Sequence, residues 1–136
     1  IELLLSVTII GMLTAISLPV YNSFIARNDL DIASQQVAHA LRRAQTYARG
    51  MDEDSAWSVE VQPTAITLFR GPSFALRNTG FDEVITLPGT ITASGLSEVQ
   101  FSKLSATPNT TGNIVLTSNA NETRTITLNA KGMVSY

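Results

Sequence analysis

Side chains that could carry out catalysis are few in this chain of 136 residues. His39 is the only histidine, and no nucleophile or metal-ligand spacing accompanies it, so we expect a partly exposed helix residue. The acidic run 52–54 lacks the spaced ligands and the glycine of a calcium loop, which favours a solvated turn. The absence of cysteine excludes disulfides, thiolate metal sites and a thiol nucleophile. The sequence therefore predicts no enzyme, no cofactor and no metal site.

Glu2 is the ionisable residue whose position is most informative. It directly precedes a stretch from Leu3 to Ala26 that contains no charged side chain. A carboxylate drawn to the centre of a bilayer costs up to about 2.5 to 3.5 kcal/mol, so this acid needs an interfacial position or a partner. Taken by itself, Glu2 fits an interfacial acid without a further role.

The apolar stretch is long enough to form a membrane helix. Its first part, Leu3 to Val20, extends roughly 27 Å at helical rise, and the next turn completes the hydrocarbon thickness. A cleavable signal peptide is the alternative, but Pro19 leads into an amphipathic helix without a small-residue cleavage site. We therefore expect residues 1–26 to form a transmembrane half-helix.

Residues 27–50 continue this helix with an amphipathic pattern. Aspartates lie at its early end and arginines at its late end, the polarity that a helix dipole favours if a new segment begins near Asn28. Gly50 is the expected terminator. We predict that one apolar face packs on a β-sheet; its residues are Leu30, Ala33, Val37, Leu41, Ala44 and Ala48.

From Trp57 onward the apolar period changes to two, which is typical of strands with one buried face. Turn sequences such as 62–64 and 107–109 separate these short segments, and part of 102–127 reads as an exposed loop. We predict six or seven antiparallel strands over 57–136, with Trp57 in the core. The predicted fold class is α+β: a long N-terminal helix followed by a β-rich domain, with 27–136 as the globular unit.

The order of motifs at the N-terminus resembles that of type IV pilins and pseudopilins. The resemblance rests on the opening residues 1–4, on Gly11 and Pro19 within the apolar helix, and on Tyr21. Segments 37–45 and 132–134 are similar to the GspH/FimT-like branch. Members begin with a methylated phenylalanine three positions before the residue numbered Ile1, so the sequence is expected to begin inside the mature chain.

The resemblance implies roles for specific residues. In such filaments the acid at the position of Glu2 pairs with the N-terminal amine of a neighbouring subunit, and the segment between Gly11 and Pro19 unwinds; a simple kink is the alternative for this segment. The implied partners are further copies of the chain, the inner-membrane assembly platform and the prepilin peptidase. The subunit would span the cytoplasmic membrane before assembly and lie in an extracellular pilus or periplasmic pseudopilus afterwards.

Several functions remain open for such a subunit. The first is a homopolymeric major pilin, in a filament for motility, adhesion, DNA uptake or secretion, and the second is a minor pseudopilin of a type II secretion system or a minor pilin at a pilus tip. DNA binding is disfavoured because Lys103, Arg124 and Lys131 are the only basic residues of the final third. Asn109 and Asn121 fit the glycosylation sequon, a pattern that is common by chance in threonine-rich loops.

Overall fold

A single helix, α1 (Glu2–Gly50), forms the N-terminal third of the fold. The computed structural model describes residues 1–15 and 21–136, and the side chains of residues 16–20 lie outside that description. The helix runs through Asn28, so no separate segment begins there. Its C-terminus is capped by Met51, which adopts the left-handed conformation (φ 53°) and donates its N–H to the carbonyl of Ala48 at 3.3 Å. The expected terminator Gly50 is thus the last helical residue, one position before the left-handed cap.

The rest of the chain forms two short 3-10 turns and eight strands. The turns are Asp52–Asp54 and Phe74–Leu76. The strands are β1 (Trp57–Val61), β2 (Ala65–Arg70), β3 (Asn78–Thr86), β4 (Ile91–Gly95), β5 (Glu98–Phe101), β6 (Gly112–Ser118), β7 (Thr123–Leu128) and β8 (Val134–Ser135).

These strands form two antiparallel sheets. The first sheet has the order β3-β2-β1-β5 and the second has the order β4-β6-β7-β8. The second half of α1 contacts strands of both sheets, so one helix covers the two inner faces. The apolar residues that alternate along β1, β2, β6 and β7 meet this helix in one continuous core. The α+β class expected from the sequence is confirmed.

The strand count and the sheet arrangement differ from the expectation. Eight strands form instead of six or seven, and they belong to two sheets rather than to one system. β3 lacks an alternating signal because it lies at a sheet edge, where none of its nine residues is fully buried. Within 102–127, the residues outside strands are the loop 102–111 and the turn 119–122, because β6 and β7 occupy the remainder.

Candidate functional site

The first residues of α1 form an apolar surface that no other described element covers. All of residues 1–15 are exposed, and the large apolar residues after Ile1 expose between 50% (Ile9) and 82% (Leu3) of their surface. Contiguous apolar patches on this scale mark surfaces that contact other proteins or membranes. We call residues 1–15 the N-terminal segment. Its large apolar members after Ile1 are Leu3, Leu4, Leu5, Val7, Ile9, Ile10, Met12 and Leu13.

Hydroxyl groups in this segment are compatible with an apolar environment. Ser6 donates its hydroxyl to the carbonyl of Glu2 at 2.9 Å, and Thr8 donates to Leu4 at 2.7 Å. Such bonds to the carbonyl four residues earlier hide the polar group within the helix itself. Among the described residues, the helix contains no stretch of the length and apolarity that crossing a membrane requires. The expected span 1–26 includes residues 16–20, whose side chains lie outside the description.

Glu2 occupies the first turn of α1 and is exposed. A negative charge in the first turn is favourable to the helix dipole. Within residues 1–15 and 21–136, no ion pair involves this carboxylate. Glu2 is therefore available to a cation from another molecule.

Gly11 lies on the exposed surface of α1 in the middle of the N-terminal segment. A methyl group added at Gly11 would meet no atom within 4 Å, so packing inside this chain does not require glycine there. Glycine does lower the helix propensity of the segment by about 1 kcal/mol relative to alanine. The second residue of the expected unwinding segment, Pro19, lies outside the described side chains.

The second half of α1 is buried within the domain, in contrast to the exposed N-terminal segment. The four residues predicted to pack on the sheet have no exposed surface, and the same holds for Ala33 and Ala48; the four are Leu30, Val37, Leu41 and Ala44. All six belong to the core that the helix shares with both sheets. One helix therefore has a second half that is buried within the domain and an N-terminal segment, residues 1–15, that is apolar and exposed.

Polar contacts attach the buried half to the second sheet. Arg27 forms an ion pair with Glu122 at 3.0 Å, and Asp31 accepts a bond from Arg124 at 3.1 Å. Asp29 accepts the hydroxyl hydrogen of Thr90 at 2.6 Å. The helix dipole is the local effect that the sequence indicates for these aspartates; their partners lie 61 and 93 residues away in sequence and leave no local signal.

A bidentate ion pair links the helix to the first sheet, in addition to the core contacts. Both terminal nitrogens of Arg43 donate to the carboxylate of Glu83 on β3 at 2.6 Å, and one of them also donates to the hydroxyl of Tyr47 at 3.1 Å. These bonds raise the pKa of the Arg43 guanidinium and lower the pKa of the Glu83 carboxyl. Arg43 and Glu83 thus fix the position of β3 relative to the helix.

The ion pair predicts a small pH-dependent contribution to stability. The folded-state pKa of Glu83 lies below the ordinary glutamate value of 4.5, so the contribution is present above that value and is lost as pH falls through the folded pKa. Both side chains are close to half exposed, which limits the contribution to about 1 kcal/mol or less.

Glu83→Gln should accordingly lower the free energy of unfolding at pH 7 and leave it unchanged at a pH below the folded pKa. Urea unfolding of the detergent-solubilised chain at the two pH values measures this difference, with Asp52→Asn, at an exposed carboxylate that forms no ion pair within residues 1–15 and 21–136, as the control for a lost surface charge. An equal loss at both pH values would show that the charge of Glu83 is not responsible.

The remaining sequence candidates are separated in space. His39 is exposed on α1, and within the described part of the chain no cluster of histidine and acidic residues could hold a metal ion. In the acidic turn 52–54, Asp54 pairs with Lys103, which lowers the pKa of its carboxyl, and Glu53 pairs with Arg70 at 3.3 Å. The turn is held by basic neighbours of the same chain.

Both sequon asparagines are exposed. Asn109 uses its side-chain oxygen to accept the amide hydrogen of Gln100 at 2.9 Å and the hydroxyl hydrogen of Thr110 at 2.8 Å. Asn121 occupies the turn between β6 and β7 with a left-handed backbone (φ 60°). Asn109 therefore has a structural role in the loop beside β5, whereas Asn121 lies at an accessible turn.

Comparison with known proteins supports the fold. No protein-family model and no curated protein matches the chain in sequence. Among solved structures, the chain is similar to the minor pseudopilin EpsH from the type 2 secretion system of Vibrio cholerae, with a TM-score of 0.60 and 13% sequence identity. The match covers 79% of this chain and 94% of the other. The resemblance to type IV pilins and pseudopilins is therefore confirmed at the level of the fold.

Proposed function

We propose that this protein is a structural, non-enzymatic subunit of a type IV pilus-like filament and that it polymerises through its N-terminal segment. The observation that carries the proposal is the unequal burial of α1. Leu30 and Leu41 are fully buried by the two sheets, whereas Leu3 and Leu4 expose 82% and 74% of their surface. Burial of such side chains stabilises contact by roughly 1.5 to 3 kcal/mol each, so many copies of the segment would associate strongly.

Glu2 gives this association its register. A carboxylate placed among apolar helices needs a counter-charge, and the α-amino group of an adjacent subunit supplies one. A subunit inserted at the wrong height would leave both charges unpaired in an apolar environment. Apolar contacts thus supply the attraction between subunits, and Glu2 selects their axial position.

Gly11 and Pro19 make the intervening helix the part that extends most readily during assembly. We propose that this part unwinds in the filament, with kinking as the alternative. Before assembly the subunit is held in the cytoplasmic membrane, where the prepilin peptidase and the assembly platform act on it; afterwards it belongs to an extracellular pilus. The β-sheet domain forms the filament surface, with Asn121 as an accessible position for glycosylation.

A second candidate is a minor pseudopilin of a type II secretion system or a minor pilin at a pilus tip. The specific observation that favours it is the structural likeness to a minor pseudopilin. In that case the same N-terminal segment would join a periplasmic pseudopilus built mainly from other subunits.

Filaments sheared from cells and identified by electron microscopy and mass spectrometry test the proposal. A polymerising subunit should be enriched in the filament fraction, as the dominant component if it is the major pilin and as a trace component if it is a minor one. Absence of the chain from all filaments, despite its presence in the cell, would contradict both versions.

A further inference from the structure

The nine-residue strand β3 is the outer strand of the first sheet, and one of its edges faces away from the protein. Hydrogen bonding alternates along an antiparallel pair, so the pattern identifies which residues face outward. Leu87 donates its N–H to Thr64 at 3.0 Å, and the same register continues to the pair Ile66 and Ile85. Ile85 therefore bonds to β2, whereas the residues on either side of it direct their backbone groups outward.

Those two residues are Val84 and Thr86. Val84 exposes 61% of its surface, and Thr86 is also exposed. Within residues 1–15 and 21–136, neither residue has a backbone hydrogen-bond partner on its outward side. Two amide donors and two carbonyl acceptors thus point into solvent along one line.

Two other outer strands are β5 in the first sheet and β8 in the second. Outward backbone groups of both strands form hydrogen bonds with other parts of the chain. At β5, Gln100 exchanges two 2.9 Å bonds with Asn109, and Glu98 accepts the hydroxyl hydrogen of Thr110 at 3.1 Å. At β8, the carbonyl of Val134 accepts a bond from Arg42 at 3.4 Å.

The edge of β4 is also engaged, because Ala93 donates its N–H to the carbonyl of Pro63 at 2.9 Å. Folded proteins commonly cover or blunt their sheet edges, since a free edge is a template for pairing with another chain. In the described part of this chain, β3 is the edge that lacks such a cap at its outward residues.

The charges beside this edge are already neutralised. Glu83 is paired with Arg43, and Asp82 accepts a bond from Arg77 at 2.7 Å with only 15% of its side chain exposed. A charged strand would therefore find no unpaired counter-ion here. An uncharged strand with an aliphatic residue opposite Val84 would instead gain backbone bonds and apolar contact.

We propose that Val84 and Thr86 form a docking site for an extended, uncharged segment of a different protein, which adds to the first sheet as an outer strand. Among its described residues, a second copy of this chain offers only its own β3 as a free edge. Antiparallel pairing of two β3 strands about a two-fold axis would direct their α1 helices in opposite directions. This exclusion of a second copy rests on the proposed filament, in which the helices of neighbouring subunits run together.

The probe is a blocked seven-residue peptide of alternating threonine and valine, carrying a fluorophore and titrated with the whole chain in detergent micelles. Fluorescence anisotropy should report saturable binding. A peptide of the same length with lysine in place of valine should bind at least roughly tenfold more weakly, because apolar contact with Val84 is lost. Equal binding of the two peptides would overturn the proposed chemistry.

Val84→Pro is the decisive variant. Proline removes an outward amide and leaves the bonds between β3 and β2 intact, as is usual for proline at sheet edges. It should weaken peptide binding roughly tenfold, whereas Val84→Ile, which keeps the amide and the branched aliphatic side chain, should bind nearly as the parent does. Unchanged binding by Val84→Pro would overturn the proposal.

Amide exchange of the unsubstituted chain provides a test that does not depend on a variant folding. The peptide should slow exchange at Val84 and Thr86 and leave Ile85, which already bonds to β2, unchanged. Absence of slowing at the two outward amides would contradict the site. Concentration-dependent dimerisation that Val84→Pro abolishes would identify a second copy as the occupant and overturn the choice of partner. Filament assembly is read separately through Glu2, so failure of one proposal leaves the other measurable.

Discussion

Leu41→Ala should lower the free energy of unfolding by about 2 to 5 kcal/mol, the range for a buried leucine whose removal leaves a cavity. Leu41 has no exposed surface and lies where α1 meets the inner faces of both sheets. The helix is the element that joins the two sheets, so its core contacts determine whether they stay together. Thermal and urea unfolding of the detergent-solubilised chain measure the loss.

His39→Ala is the matched control for Leu41→Ala, because His39 lies two residues away on the exposed side of the same helix. It should change the free energy of unfolding by less than about 0.5 kcal/mol. An unchanged midpoint for Leu41→Ala would mean that the sheets are stable without the helix face, and packing of α1 would no longer explain the fold.

Glu2→Gln should sharply reduce filament assembly. Glutamine preserves the size of the side chain and its hydrogen bonding, but it leaves the amine of the neighbouring subunit without a counter-charge among apolar helices. Membrane insertion should persist, because removing a charge makes the N-terminal segment more apolar. The measurements are the density of sheared surface filaments and the amount of subunit in the membrane fraction.

Glu53→Gln is the control for Glu2→Gln, since Glu53 lies in the turn after α1 and its loss removes the same formal charge from the far end of the helix. Filaments at normal density with Glu53→Gln and few with Glu2→Gln would support a specific role for Glu2. Filaments at normal density with both would show that apolar packing alone sets assembly and that Glu2 is an ordinary interfacial acid.

The elements in which apolar residues recur at a regular spacing could be predicted from the sequence. The change from a fully apolar pattern to a stripe at Leu30, Val37 and Leu41 identified the buried half of α1, and alternation identified β1, β2, β5, β6 and β7. Periodicity reports burial on one face, so it works where one face of an element meets the core.

β3 could not be predicted in this way, because a strand at a sheet edge with no fully buried residue has no alternating pattern. The division into two sheets could not be predicted either, because strand pairing depends on contacts between residues that are distant in sequence. The same is true of Asp31, whose partner Arg124 is 93 positions away. The free edge at Val84 could be recognised only in the structure, because only the structure shows that backbone groups at the other sheet edges have hydrogen-bond partners.

Cysteine cross-linking within isolated filaments tests the central proposal most directly, because the chain has no cysteine of its own. Single cysteines at Leu3, Leu4 and Leu5 sample successive directions around the helix, about 100° apart. We expect a bifunctional maleimide, whose spacer bridges the axial step between neighbouring subunits, to produce linked dimers from at least one of these positions in filaments where the chain is the dominant component, and from none of them in dilute detergent solution. Filaments built mainly from this chain that give no cross-link at any of the three positions would contradict assembly through the N-terminal segment.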